Sequence, residues 1–128
     1  VVPQVKRRVV SPETARAMTT MLEGVVTNGT GTKAAIPGFR VAGKTGTAQK
    51  IDSRTGAYSS TQFVGSFVGY VPAESPRLAM VVLDEPQGES WGGVVAAPVF
   101  RRVGEQALMY LGVSREDTVK IALAMKDH

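Results

Sequence analysis

The chain has 128 residues, 43% of them hydrophobic and 20% charged, with a formal net charge of +4, which suits one compact core and not two domains. It has no cysteine and its only histidine is His128; disulfides and thiolate zinc sites are excluded, neither metal nor cofactor is expected, and chemistry must use Ser, Thr, Lys or carboxylates. No apolar run approaches the roughly 20 residues that cross a bilayer, VVPQVKRR has no signal-peptide core, so any targeting segment would lie outside this chain, and Lys6-Arg7-Arg8 and Arg101-Arg102 lack the exposed aromatics of a nucleic-acid surface.

The first predicted element is SPETARAMTTMLEGVV, 11–26. Ser11 is a good N-cap, Pro12 fits the first helical position, Glu13 complements the positive end of the dipole, and Ala15, Met18, Leu22 and Val25 recur at steps of three and four. The helix is expected to stop in TNGTGT, 27–32, whose Thr, Asn and Gly favour turns. After Pro37-Gly38, FRVAGKTGTAQK has no helical period and reads as a strand, and SRTGAYSS, 53–60, as a turn-rich connection. QFVGSFVGYV, 62–71, is apolar on both faces and reads as a buried central strand; PAESP connects it to a third strand, RLAMVVLDEP, 77–86. AAPVFRRVGEQALMYLG, about 96–112, carries Phe100, Val103, Ala107 and Leu111 at helical spacing and reads as a second helix. The tail from 113 to 128 is charged and its structure is left open.

Gly38 to Thr45 matches the phosphate-binding pattern G-x-x-x-x-G-K-[ST], and Asp84-Glu85 after an apolar run resembles a magnesium-binding strand. Such a loop needs a helix starting at Lys44-Thr45, because the helix N-terminus holds the phosphates. Gly46 and the aperiodic TAQKIDSRTG follow instead. The five residues PAESP are also too short for a parallel crossover of a dozen or more, so 62–71 and 77–86 should form an antiparallel hairpin. The nucleotide reading stays a remote alternative, and Asp84-Glu85 reads as solvated turn carboxylates.

On a strand, Lys44-Thr45-Gly46-Thr47 places Thr45 and Thr47 on one face and Lys44 and Gly46 on the other. Two hydroxyls and a nearby ammonium form a receptor for a carboxylate, and Gly46 should let another element approach on the Lys44 side. At a sheet edge, an outward Thr47 N–H would be free to donate to an oxyanion. These parts suit acyl transfer to a serine.

K-T-G is one of three motifs, with S-x-x-K and S-D-N, that mark penicillin-binding proteins and serine β-lactamases. Together with RVVSPETARAM, MLEGVV, GTGTKAAIPGFRVAGKTGTAQK, FVGSFVGYVPAESPRLAMVVLDEP and WGGVVAAPVFRRV, it makes residues 3–112 resemble the C-terminal part of class B penicillin-binding proteins, closest to their cell-division peptidoglycan D,D-transpeptidases. The resemblance implies an α+β fold, the C-terminal half of a β-lactamase/transpeptidase-like domain, with three antiparallel strands flanked by an N-terminal and a C-terminal helix. Residues 1–112 would belong to it, with 113–128 as a tail. It further implies a serine-type D,D-transpeptidase at the periplasmic face of the bacterial inner membrane, anchored outside this chain. Its partners would be peptidoglycan stem peptides, β-lactam antibiotics and other cell-division proteins, with no nucleic acid. Lys44 would serve the electrostatics and proton path at the nucleophile, the hydroxyls of Thr45 and Thr47 beside Gly46 would hold the terminal carboxylate of D-Ala-D-Ala or of the antibiotic, and the Thr47 N–H would be half of the oxyanion hole. The chain departs from the family in having neither S-x-x-K nor S-x-N. The nucleophile must therefore come from a missing N-terminal portion, and these residues alone are expected to be inactive; the alternative is a non-catalytic sensor domain of the same fold.

Overall fold

A computed structural model describes residues 4–86, 88 and 91–115. Helix α1 spans Pro12–Thr27; Ser11 caps it, its Oγ accepting from the Thr14 N–H at 3.2 Å, and Asn28 follows its last turn. A 3-10 turn at Thr32–Ala34 leads to strand β1, Ala42–Ile51. Strand β2, Tyr58–Val71, and strand β3, Leu78–Asp84, complete an antiparallel sheet in the order β1-β2-β3. A short helix α2, Gly92–Val95, runs into α3, Ala97–Tyr110. The three strands flanked by an N-terminal and a C-terminal helix are the expected α+β architecture. Residues 116–128, most of the charged tail, lie outside the described residues.

The hairpin is antiparallel as its short connection requires, from Gly65↔Asp84 to Val71↔Leu78. On the other side of β2 the register runs from Ala42↔Tyr70 through Thr45↔Phe67 and Thr47↔Gly65. One sheet face therefore carries Gly43, Thr45, Thr47, Phe67, Gly69 and Val71, and α3 packs on it. Phe67, Val71, Phe100 and Leu108 are fully buried there. The opposite face carries Lys44, Val68, Tyr70 and Val81, and α1 covers part of it, with the Thr19 hydroxyl 2.7 Å from the Tyr70 hydroxyl. Val68, Val81 and Leu83 remain 50%, 64% and 69% exposed.

Four expectations change. Strand β2 begins at Tyr58, inside the segment read as turn-rich, because Tyr58 pairs with Ile51 beyond an irregularity in the β1 register. It is central, but only its Phe67 face is buried among the described residues. In α3 the buried positions are Ala97, Phe100, Gly104 and Leu108; Val103 and Leu111 are exposed. Gly104 turns that stripe inward, since a Cβ there would already stand 3.0 Å from Ile36 Cδ1. In α1, Ala15 and Met18 are exposed, Leu22 and Val25 are half-buried, and the one buried residue is Val26, which joins the core beside Ile36 and Val41.

Candidate functional site

Lys44-Thr45-Gly46-Thr47 lies mid-strand on β1, the sheet's edge among the described strands. No helix starts at Lys44, so the phosphate-loop alternative fails on geometry: there is no helix N-terminus to meet a phosphate. Glu85, the second half of its acidic pair, instead takes an ion pair from Lys50 at 2.6 Å. No group of His, Asp and Glu suited to hold a metal occurs among the described residues.

The residues expected to act together do meet. Thr45, Gly46, Thr47 and Lys44 line one open cleft of about 580 Å³, with Thr30 and Lys33 before β1 and Trp91 and Gly92 at the start of α2. Two lysines and four threonines line it, Thr32 included, and no carboxylate does. Lys44 is exposed and its Nζ donates to the Thr45 carbonyl at 2.8 Å. The Thr45 hydroxyl lies 2.7 Å from that of Thr30, and Thr47 Oγ1 accepts from the Gly92 N–H at 3.3 Å. An ammonium and donor hydroxyls with no competing negative charge are groups whose chemistry suits an anion.

Gly46 acts differently from the expectation. On the Lys44 face, the place of its absent Cβ is taken by the hydroxyl of its cross-strand partner, with Ser66 Oγ 2.5 Å away. The close approach of another element occurs on the threonine face, where Gly92 sits against the backbone of Gly46 and Ser66 so tightly that a Cβ at Gly92 would overlap their oxygens. Gly93 likewise packs on the Thr30 carbonyl. Thr30, Lys33, Gly92 and Gly93 carry no site motif of their own in the sequence. Their only signal was the clustering of Thr and Gly in GTGT and WGG, whose approach to β1 is a tertiary contact that no local period reveals.

A second hollow, about 570 Å³, lies between α1 and the β2–β3 connection. There Arg40 Nε and Nη2 each donate to Glu23 at 2.7 Å, and both Glu74 carboxylate oxygens are buried without a hydrogen-bond partner among the described residues. The Glu23 hydrogen bonds hold the Arg40 guanidinium above its ordinary value; burial opposes this, and the charges of Glu23 and Glu74 add to it. No helix among the described residues is long and apolar enough to cross a membrane.

Residues 2–105 match the sequence profile of the penicillin binding protein transpeptidase domain. Among curated relatives, stage V sporulation protein D of Bacillus subtilis is 42% identical over 113 residues, 87% of this chain and 17% of that protein. The probable peptidoglycan D,D-transpeptidase PenA of Neisseria flavescens is 42% identical over 111 residues, 84% of this chain and 27% of that protein. The chain thus spans about a sixth to a quarter of the length of these relatives. Among solved structures, the apo transpeptidase domain of Burkholderia pseudomallei penicillin-binding protein 3 superposes with a TM-score of 0.74 at 45% identity, over 85% of this chain and 33% of that one. Penicillin-binding protein 3 of Mycobacterium tuberculosis in complex with ampicillin gives 0.72 at 34% identity, over 83% and 26%.

Proposed function

This chain belongs to the penicillin-binding protein transpeptidase family, and from that premise we propose that it supplies the carboxylate-binding strand and half of the oxyanion hole of a peptidoglycan D,D-transpeptidase. The observation that carries the reading is the cleft along β1, with two lysines, four threonines and no carboxylate. In this reading the Thr45 and Thr47 hydroxyls donate to the terminal carboxylate of the stem peptide or of a β-lactam, and Lys44 supplies the positive charge beside them. Backbone direction alternates along a strand, so Thr47 shares the direction of Thr45, whose carbonyl is taken by Lys44 rather than by a further strand. The Thr47 N–H then faces the cleft and polarises the scissile carbonyl.

The serine nucleophile, its lysine three residues on and the second oxyanion donor belong to a preceding portion of the same protein, since the chain contains no S-x-x-K. The serine Oγ attacks the carbonyl of D-Ala-D-Ala and loses its proton to a base; the C–N bond breaks and D-alanine leaves with a proton. An amine of a second stem peptide then takes the acyl group and releases the serine. Residues 1–112 form this part of the domain and 113–128 a tail. The whole protein is placed at the periplasmic face of the inner membrane, anchored outside this chain, among cell-division proteins.

A fluorescent penicillin tests the assignment. The complete protein is expected to retain label after denaturation, on a serine outside these residues, and the isolated chain to retain none. Label on a serine of this chain would overturn the division of the active site, and no label on the complete protein would reject the acyl-transfer reading.

A further inference from the structure

A threonine hydroxyl has one proton to give and two lone pairs to accept with. A carboxylate only accepts, so any hydroxyl that binds it must spend its proton on it. Thr47 is already set for this: the Gly92 N–H, which can only donate, occupies a lone pair of Thr47 Oγ1 at 3.3 Å. The Thr47 proton is thereby left for a group in the cleft.

Thr45 has the same need and a different neighbour. Its Oγ1 lies 2.7 Å from Thr30 Oγ1, and either oxygen can be the donor. Once Thr45 donates to a carboxylate, that bond survives only if Thr30 donates. Among the described residues, Thr30 Oγ1 has no other hydrogen-bond partner to draw its proton away.

The fold holds Thr30 in place. Helix α1 ends at Thr27, and the Gly31 N–H closes on the Val25 carbonyl at 2.9 Å. A Cβ at Gly29 would press on the Val25 backbone at 2.9 Å, and one at Gly93 would overlap the Thr30 carbonyl. The 29–31 turn is thus clamped between the end of α1 and the start of α2. We propose that Thr30 is a positioning residue for the carboxylate receptor, donating to Thr45 Oγ1 so that the Thr45 hydroxyl is turned and polarised as a donor to the ligand. This rests on the receptor reading above. Chained hydrogen bonds polarise one another, so the effect reaches a ligand that Thr30 does not touch.

The test is a double-variant cycle in the complete protein, with the second-order acylation rate by benzylpenicillin as the readout. Thr30→Val is expected to slow acylation about three- to tenfold, Thr45→Val about tenfold, and the double variant no more than about twofold beyond Thr45→Val alone. Thr30→Ser, which keeps the hydroxyl, is expected to restore the rate to within about twofold of the parent. A purely structural role would instead give costs that multiply and would not depend on the hydroxyl. An unchanged rate in Thr30→Val beside a slowed Thr45→Val overturns the positioning role and leaves the receptor reading intact, as do multiplying costs or failure of Thr30→Ser. An unchanged Thr45→Val rejects the receptor reading itself. Thermal unfolding is followed for each variant, and if Thr30→Val does not fold, Thr30→Ala takes its place with the same criteria.

Discussion

Phe67 of β2 and Phe100 of α3 meet edge to face, their ring centroids 4.8 Å apart and their planes at 61°. Phe67 is the cross-strand partner of Thr45, so this contact packs on the same sheet face as the Thr45 side chain. Space for the rings comes from two glycines: a Cβ on Gly43 would overlap the Phe67 ring, and one on Gly69 would come within 2.9 Å of it. Gly43→Ala is expected to destabilise the domain by about 1–3 kcal/mol through overpacking, and Phe100→Ala by about 3–5 kcal/mol through cavity formation. Urea unfolding measures both. Combining Gly43→Ala with Phe67→Leu should cost less than the sum of the two, because the smaller side chain vacates the contested space; strict additivity would contradict the overlap.

Lys44 and Thr45 provide the direct check on the receptor. Thr45→Val keeps the shape and removes a hydroxyl, so acylation of the complete protein should slow on the order of tenfold, as for a lost hydrogen bond of about 1–2 kcal/mol to a charged group. Lys44→Ala should slow it further, since a positive charge beside the proton path goes as well. Both rates equal to the parent's would remove this strand from the site.

The order of elements was legible because each carries its own local signal: the Ser11-Pro12-Glu13 start of α1, the short run apolar on both faces that became β2, and PAESP too short for a crossover. The shared face of Thr45 and Thr47 was legible because side chains alternate along a strand. What failed depended on partners distant in sequence. Val103 and Leu111 have helical spacing, yet Gly104 faces inward because Ile36 comes to meet it. Val68 and Val81 look like core residues, yet the elements that bury Phe67 lie on the opposite face. Thr30 is fifteen positions from Thr45, and only the fold of the 29–41 segment makes them neighbours.

Asp52 turns the β1–β2 connection, accepting at Oδ1 from the Arg54 N–H at 2.9 Å. That backbone bond, with the Arg54 side chain next, holds its carboxyl below the usual aspartate value. A depressed folded pKa means that its support of the turn is complete above the unfolded value of about 3.9 and is lost as pH falls through the lower folded value. An NMR titration of the Asp52 carboxyl carbon should therefore give a midpoint below that of an aspartate in an unstructured peptide. A midpoint at or above it would show that the turn does not hold the carboxylate.

Glu74 and Arg40 make opposite predictions on neighbouring charges. Both Glu74 oxygens are buried without a hydrogen-bond partner among the described residues, while Arg40 Nε and Nη2 donate to Glu23. Glu74→Gln removes a buried charge that nothing neutralises directly, and is expected to leave stability unchanged or raise it by about 1 kcal/mol. Arg40→Met leaves Glu23 and Glu74 without their shared cation and should cost about 1–2 kcal/mol, between the values for exposed and buried pairs. Unfolding midpoints in urea at neutral pH decide this; a large loss in Glu74→Gln would mean that the carboxylate has a partner in the complete protein.

Gly92 tests whether α2 is part of the receptor or merely adjoins it. Its N–H donates to Thr47 Oγ1, and its Cα lies against the backbone of Gly46 and Ser66 with no room for a methyl group. Those neighbours are main-chain atoms of two paired strands, which cannot rotate aside as a flexible side chain would, so Gly92→Ala must push the start of α2 away from β1. The Thr47 hydroxyl then loses the donor behind it and is free to turn from the ligand. Acylation of the complete protein should slow by about tenfold or more, with a further loss of about 1–3 kcal/mol in stability from the displaced helix. Gly88→Ala is the control: its φ of +103° strains a side chain, but among the described residues nothing lies within 4 Å of its Cβ position, so it should lower stability without a comparable loss of acylation. Equal acylation in Gly92→Ala and the parent would show that α2 contributes packing alone.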